Sequence, residues 1–134
     1  MSKNDLTIVI SGSFRRHLTG IHEKIKEFDK LGFKVLSPKI SKPINPEEEF
    51  VILESDVTAD EERLEKEHLQ AIKEASVLYV FNFDGYLGNS VRLEIGYAIG
   101  VQKPIYTYEE VTEIPLKFFC KGATPEEIQR ELKS

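Results

Sequence analysis

Two ionisable residues stand where helical periodicity asks for apolar ones. Val91, Ile95, Ala98 and Ile99 recur at the spacing of one buried helix face, and Glu94 falls on that face, three residues after Val91 and four before Ala98. A carboxylate so placed costs free energy unless donors or dipoles replace its lost water. A position in or near the first turn of the helix supplies both, because free N–H groups and the helix dipole favour an anion there. An ionised but poorly solvated carboxylate is what an attacking nucleophile requires. The plainer role, an acid that only complements the dipole, fits less well because the phase points inward. His68 is the second such residue, four after Leu64 and three before Ala71 in the helical run that precedes. A buried imidazole can act as general acid or base, or orient Glu94. A core histidine satisfied by one hydrogen bond fits the same pattern equally well.

A third group of candidates sits in loops. Gly12-Ser13-Phe14-Arg15-Arg16-His17 follows the first apolar run and joins backbone N–H groups, a hydroxyl and two guanidinium groups near a helix start. That chemistry suits a phosphate, although a solvated basic turn would read almost the same. The segment matches neither the dinucleotide fingerprint G-x-G-x-x-G nor a Walker loop. Asp84, Gly88, Asn89 and Ser90, in the turn-rich stretch before Glu94, complete the expected substrate-binding set; Asp84-Gly85 is also an ordinary turn pair, and the turn role is the better supported. Cys120 has no acid–base neighbour and is expected to be inert. No Cys/His spacing for a metal occurs, and no cofactor is expected.

The elements that must carry these residues alternate between two periods. Leu6-Thr7-Ile8-Val9-Ile10, Phe33-Lys34-Val35-Leu36 and Val77-Leu78-Tyr79-Val80-Phe81 read as buried strands, and a fourth begins near Lys103-Pro104-Ile105. Leu18, Ile21, Ile25 and Phe28 mark a first helix that Gly32 stops. A second helix runs from about Asp60 to Glu74, and a third, capped by Asn89 or Ser90, runs to Gly100. Thr124 and Glu127 form a capping box for a last short helix. A fifth strand is placed near Leu116-Lys117-Phe118-Phe119. Segment 39–57 is irregular, with Pro43, Pro46 and Glu47-Glu48-Glu49, yet its Phe50-Val51-Ile52-Leu53 is too apolar for a plain loop and reads either as a short strand or as a lid. The order predicts a single α/β domain over residues 1–134, a doubly wound parallel sheet of four to five strands with helices on both faces. Ligands bind beyond the carboxyl ends of such strands, where loops 11–17, 38–56 and 82–90 should meet.

Composition narrows the partners. The chain has 134 residues and a formal net charge of -5. Without a long basic run it is a poor candidate for polymeric nucleic acid, while a small phosphorylated ligand needs only a local cluster of donors. One cysteine permits no intrachain disulfide, as in a reducing cytosol. The N-terminal residues lack a signal-peptide hydrophobic stretch, and no apolar run approaches membrane-spanning length, so a cytoplasmic protein is expected.

The stretch Asp84-Gly85-Tyr86-Leu87-Gly88-Asn89-Ser90-Val91-Arg92-Leu93-Glu94-Ile95-Gly96-Tyr97-Ala98 resembles the nucleoside 2-deoxyribosyltransferase family, whose hallmark is a loop of small residues running into Glu-(Leu/Ile)-Gly-Tyr-Ala. Gly100 to Ile105 resembles that family's link into the next strand, and Gly12-Ser13-Phe14-Arg15 is similar to the phosphate-side loop of its 2′-deoxynucleoside 5′-phosphate N-hydrolase branch. Segment 39–57 matches poorly. The resemblance implies a flavodoxin-like five-stranded sheet, a homo-oligomer with active sites near subunit contacts, and a nucleophilic glutamate at Glu94. That carboxylate would attack C1′, release the base and form a glycosyl ester, which water or a second base resolves, as in retaining glycosidases. The family's helix-borne aspartate aligns with His68, a departure that an imidazole can accommodate as a proton donor; the loop before Glu94 is also longer than in the monophosphate hydrolase. A non-catalytic nucleotide sensor with the same pocket is the alternative, opposed by two ionisable residues on buried faces. A phosphoacceptor receiver domain is disfavoured, since its first strand should end in acidic residues and here ends in Ser11-Gly12-Ser13.

Overall fold

The computed structural model describes residues 6–39, 47, 50–53 and 60–134. Five strands, β1 (Thr7–Gly12), β2 (Lys34–Ser37), β3 (Val77–Phe81), β4 (Ile105–Thr107) and β5 (Cys120–Gly122), form one sheet in the order β2-β1-β3-β4-β5. Every neighbouring pair is parallel. The helices are α1 (Phe14–Lys30), α2 (Glu61–Glu74), α3 (Asn89–Gly100) and α4 (Pro125–Lys133).

Side-chain alternation along the central strands divides the core in two. Ile8, Ile10, Tyr79 and Phe81 pack with Ile21, Ile25 and Phe28 of α1 and Ile128 of α4 on one face. Val9, Leu78, Val80 and Ile105 pack with Ile72 of α2 and Val91, Ile95 and Ala98 of α3 on the other. The all-buried pattern of β3 follows from its central position, covered on both faces. Among the described residues, no helix is long and apolar enough to cross a membrane.

Three local expectations are corrected. Ser11 and Gly12, placed by sequence in the loop 11–17, extend β1 and pair with Val80 and Phe81; the apolar run ends at Ile10, but the ladder continues because these small residues tolerate the approach of α1. A Cβ on Gly12 would stand 3.0 Å from Ile21 Cδ1 and 3.2 Å from the Phe81 carbonyl oxygen. The N-cap of α3 is Gly88, which has no side chain to cap with, so neither Asn89 nor Ser90 is the cap. Leu116–Phe118 is a 3₁₀ turn, and the fifth strand comes after it. The helix limits of α2, with Asp60 as N-cap, and the Thr124–Glu127 capping box of α4 are as expected.

Candidate active site

At the carboxyl edge of the sheet lies a cleft of about 490 Å³. The end of β1 and the start of α1 contribute Ser11, Gly12, Ser13, Phe14 and Arg15 to it. Ser37 enters from the end of β2, aided by an irregularity in the β1–β2 ladder that sets Val9 opposite Ser37. Helix α2 contributes Glu65 and His68, and the start of α3 contributes Gly88, Asn89, Ser90 and Glu94. Phe50, Val51 and Leu53 also line it, with Val51 and Leu53 buried. The apolar stretch in the irregular segment is therefore a wall of the cleft. The rest of that segment, apart from Lys39 and Glu47, lies outside the described residues.

Glu94 is 5% exposed. It stands in the second turn of α3, since the helix begins at Asn89, so the free N–H groups of the first turn are not what holds it ionised. Side chains do this instead. Burial pushes its pKa up, but attraction to His68 and hydrogen bonds with His68, Glu65 and Ser11 outweigh burial and leave it below the ordinary carboxyl value. His68 Nε2 lies 3.5 Å from Glu94 Oε1 and 3.3 Å from Ser11 Oγ. The other ring nitrogen, Nδ1, is 2.7 Å from Ser37 Oγ. Both nitrogens of His68 are thus engaged with protein groups, and the imidazole joins β1, β2 and α3 at one point.

Glu65, one helical turn before His68, was not singled out from sequence. Its pKa is pushed up to about 8, by burial first and then by its hydrogen bond with Glu94 and the proximity of that charge. The pair thus divides into an ionised Glu94 and a protonated Glu65 at neutral pH. Oε2 of Glu65 is buried and has no hydrogen-bond partner among the described residues. An oxygen so placed costs less on a neutral carboxyl group than on a carboxylate.

The expected loop residues separate. Gly12, Ser13, Phe14, Arg15, Gly88, Asn89 and Ser90 all border the cleft. Asp84 does not: it sits in a 3₁₀ turn with a left-handed backbone (φ 56°, ψ 23°), next to Gly85 at φ 72°, and its N–H donates to the Glu109 carboxylate at 2.8 Å. It stands in the turn that Asp84-Gly85 also suggested, and the structure does not bring it to the cleft wall. Ser13 caps α1, its hydroxyl accepting from the Arg16 N–H. Arg16 places its guanidinium 3.9 Å from the centroid of the ring of Tyr86, a residue of the cleft wall, while Arg15 borders the cleft itself. Arg15 is exposed there.

The strand order 2-1-3-4-5 with helices on both faces defines a flavodoxin-like α/β fold. Among solved structures, the 2-deoxyribosyltransferase of the psychrotolerant bacterium Bacillus psychrosaccharolyticus matches 92% of this chain and 90% of its own, at a TM-score of 0.62 and 16% identity. The CMP N-glycosidase BcmB of Clostridium botulinum matches 95% of this chain and 97% of its own, at a TM-score of 0.54 and 14% identity. At these identities the likeness is one of fold. No protein-family model matches the sequence, and no curated protein does.

Proposed function

We propose that this chain is an enzyme that cleaves the N-glycosidic bond of a nucleoside 5′-monophosphate or nucleoside, with Glu94 as the attacking carboxylate. The observation that carries the proposal is Glu94 itself: buried beside a nucleotide-sized cleft and held ionised by His68, Ser11 and Glu65. Attack of a Glu94 oxygen on C1′ forms a C1′–O ester as the C1′–N bond breaks and its electron pair leaves with the base. Water then completes hydrolysis, or the nitrogen of a second base completes transfer. His68 is assigned to orienting Glu94 and keeping it ionised, because its two ring nitrogens face Ser37, Ser11 and Glu94. The fold likeness to a 2-deoxyribosyltransferase and a CMP N-glycosidase supports the same class of chemistry.

A 5′-phosphate is supported by the ends of α1 and α3. Both helices open on the cleft and neither carries an acid in its first turn, whereas α2 has Glu61 and Glu62 there and α4 has Glu126 and Glu127. Two helix starts without first-turn acids, with Arg15 at one of them, therefore border the same cleft, an arrangement suited to an anion. A cytoplasmic homo-oligomer belongs to the same proposal; Leu93 of α3, with Ile114, Phe118 and Phe119, leaves large apolar side chains exposed.

The test is to incubate the protein with a panel of nucleosides and monophosphates and assay free base. Release of base from at least one substrate is expected, with a loss of several orders of magnitude in Glu94→Gln at unchanged circular dichroism. Absence of release from the whole panel, or full activity in Glu94→Gln, would overturn it.

A further inference from the structure

A glycosidic cleavage that begins with Glu94 needs a proton for the departing base, and the engaged nitrogens of His68 make it a poor source. We infer that Glu65 is the general acid: it delivers its carboxyl proton to a ring nitrogen of the leaving base, and then, as a carboxylate, takes a proton from the water that resolves the ester. This rests on the assignment of Glu94 as nucleophile. Glu65 reaches the cleft from α2, one turn from His68, and its carboxyl group is hydrogen-bonded to the nucleophile. It holds its proton at neutral pH, where a free glutamate would not.

The atoms balance over the two steps. In the first, the Glu94–C1′ bond forms, the C1′–N bond breaks, and the Glu65 proton goes to the base. In the second, water adds to C1′, its proton goes to Glu65, and the Glu94–C1′ bond breaks. The resting arrangement is restored.

The electrostatics of the pair favour this sequence. Among the described residues, the acidic, basic and histidine side chains lining the cleft are Arg15 from α1, Lys39 beyond β2, Glu65, Glu67 and His68 of α2, and Glu94 of α3. Of these, Glu94 is the one that acts on Glu65. Esterification removes the negative charge of Glu94, so Glu65 becomes more acidic as the proton is needed by the base. Loss of that charge also lets the Glu65 carboxylate persist long enough to activate water.

The pH dependence follows in sign. Glu94 must be ionised and Glu65 protonated, so kcat/KM should increase with pH at the acid end, as Glu94 ionises, and fall as pH passes about 8. These limbs belong to the coupled pair.

The experiment compares wild type with Glu65→Gln on 2′-deoxyguanosine 5′-monophosphate and on its N7-methyl derivative, whose cationic base leaves without protonation. Glu65→Gln should lose roughly 10²- to 10⁴-fold in kcat/KM on the unmodified nucleotide, stay within about tenfold of wild type on the methylated one, and lose the alkaline limb. Equal losses on both, or an alkaline limb that survives in Glu65→Gln, would overturn the assignment. A readout without turnover accompanies it: the infrared C=O stretch of a protonated carboxyl in the free protein at neutral pH. The band should be present in wild type and absent in Glu65→Gln; its absence from wild type, or its survival in Glu65→Gln, would also overturn it. Cleavage that persists in Glu94→Gln would instead refute the underlying nucleophile.

Discussion

Glu65 and Glu94 are chemically identical side chains that share a hydrogen bond, yet one is protonated and the other ionised at neutral pH. What separates them is the company of each. Glu94 receives His68 and Ser11 as well as Glu65, whereas Glu65 has burial and the like charge of Glu94 against it. Glu94 was legible in sequence because an acid interrupts the apolar stripe of Val91, Ile95 and Ala98. Glu65 was not, because α2 carries Glu61, Glu62, Glu65, Glu67 and Glu74, and only the packing of α2 against α3 distinguishes one of them. The same limit applies to Arg15 and Arg16, adjacent and alike on paper, of which one stacks on Tyr86 and the other borders the cleft. Arg15→Ala should therefore weaken kcat/KM for a monophosphate by roughly 1.5 kcal/mol, the low end for a hydrogen bond to a charged group because Arg15 is exposed, and leave the matched nucleoside nearly unchanged. Paired kinetics on the two substrates check this. Equal efficiency of wild type on both would remove the phosphate from the account.

At the scale of elements, periodicity located α1, α2, α3 and four strands and a capping box located α4, whereas the reading missed where small residues decide. Ser11 and Gly12 carry no apolar signal yet complete β1, since pairing with β3 depends on backbone and space. The short β5 has little to mark it, because Cys120-Lys121-Gly122 is an edge strand without an apolar run. Gly20 shows how closely α1 must lie on the sheet: a Cβ there would come within 2.5 Å of the Phe81 ring, which is itself buried. Two effects oppose each other in Gly20→Ala. A helix interior gains about 1 kcal/mol from alanine over glycine, while overpacking a filled core costs about 1–3 kcal/mol. The clash should win, because Phe81 also packs against His17, Phe83 and Tyr108 and has few directions in which to yield. A net loss of about 1–2 kcal/mol is expected, read from the urea midpoint. An unchanged or raised midpoint would show that the ring moves aside freely.

For the molecule as a whole, parallel winding is what turns scattered residues into one site. Ser11, Ser37, the Glu65–His68 pair and Glu94 come from distant parts of the chain, and all meet at the carboxyl edge because each successive strand points the same way. That convergence was legible from the alternation of strand and helix. The contribution of Phe50, Val51 and Leu53 to the cleft was not, since a short apolar run inside a Pro- and Glu-rich segment fits a strand and a lid equally well. Covalent attack by Glu94 can be caught by trapping the ester. A 2′-deoxy-2′-fluoroarabino nucleoside 5′-monophosphate carries an electron-withdrawing fluorine beside C1′, which disfavours the oxocarbenium-like transition state and slows breakdown of the ester. Intact-protein mass spectrometry should find one fluoropentosyl phosphate added per chain, peptide mapping should place it on Glu94, and Glu94→Gln should gain nothing. Release of base with no adduct at Glu94, together with wild-type turnover by Glu94→Gln, would contradict the account.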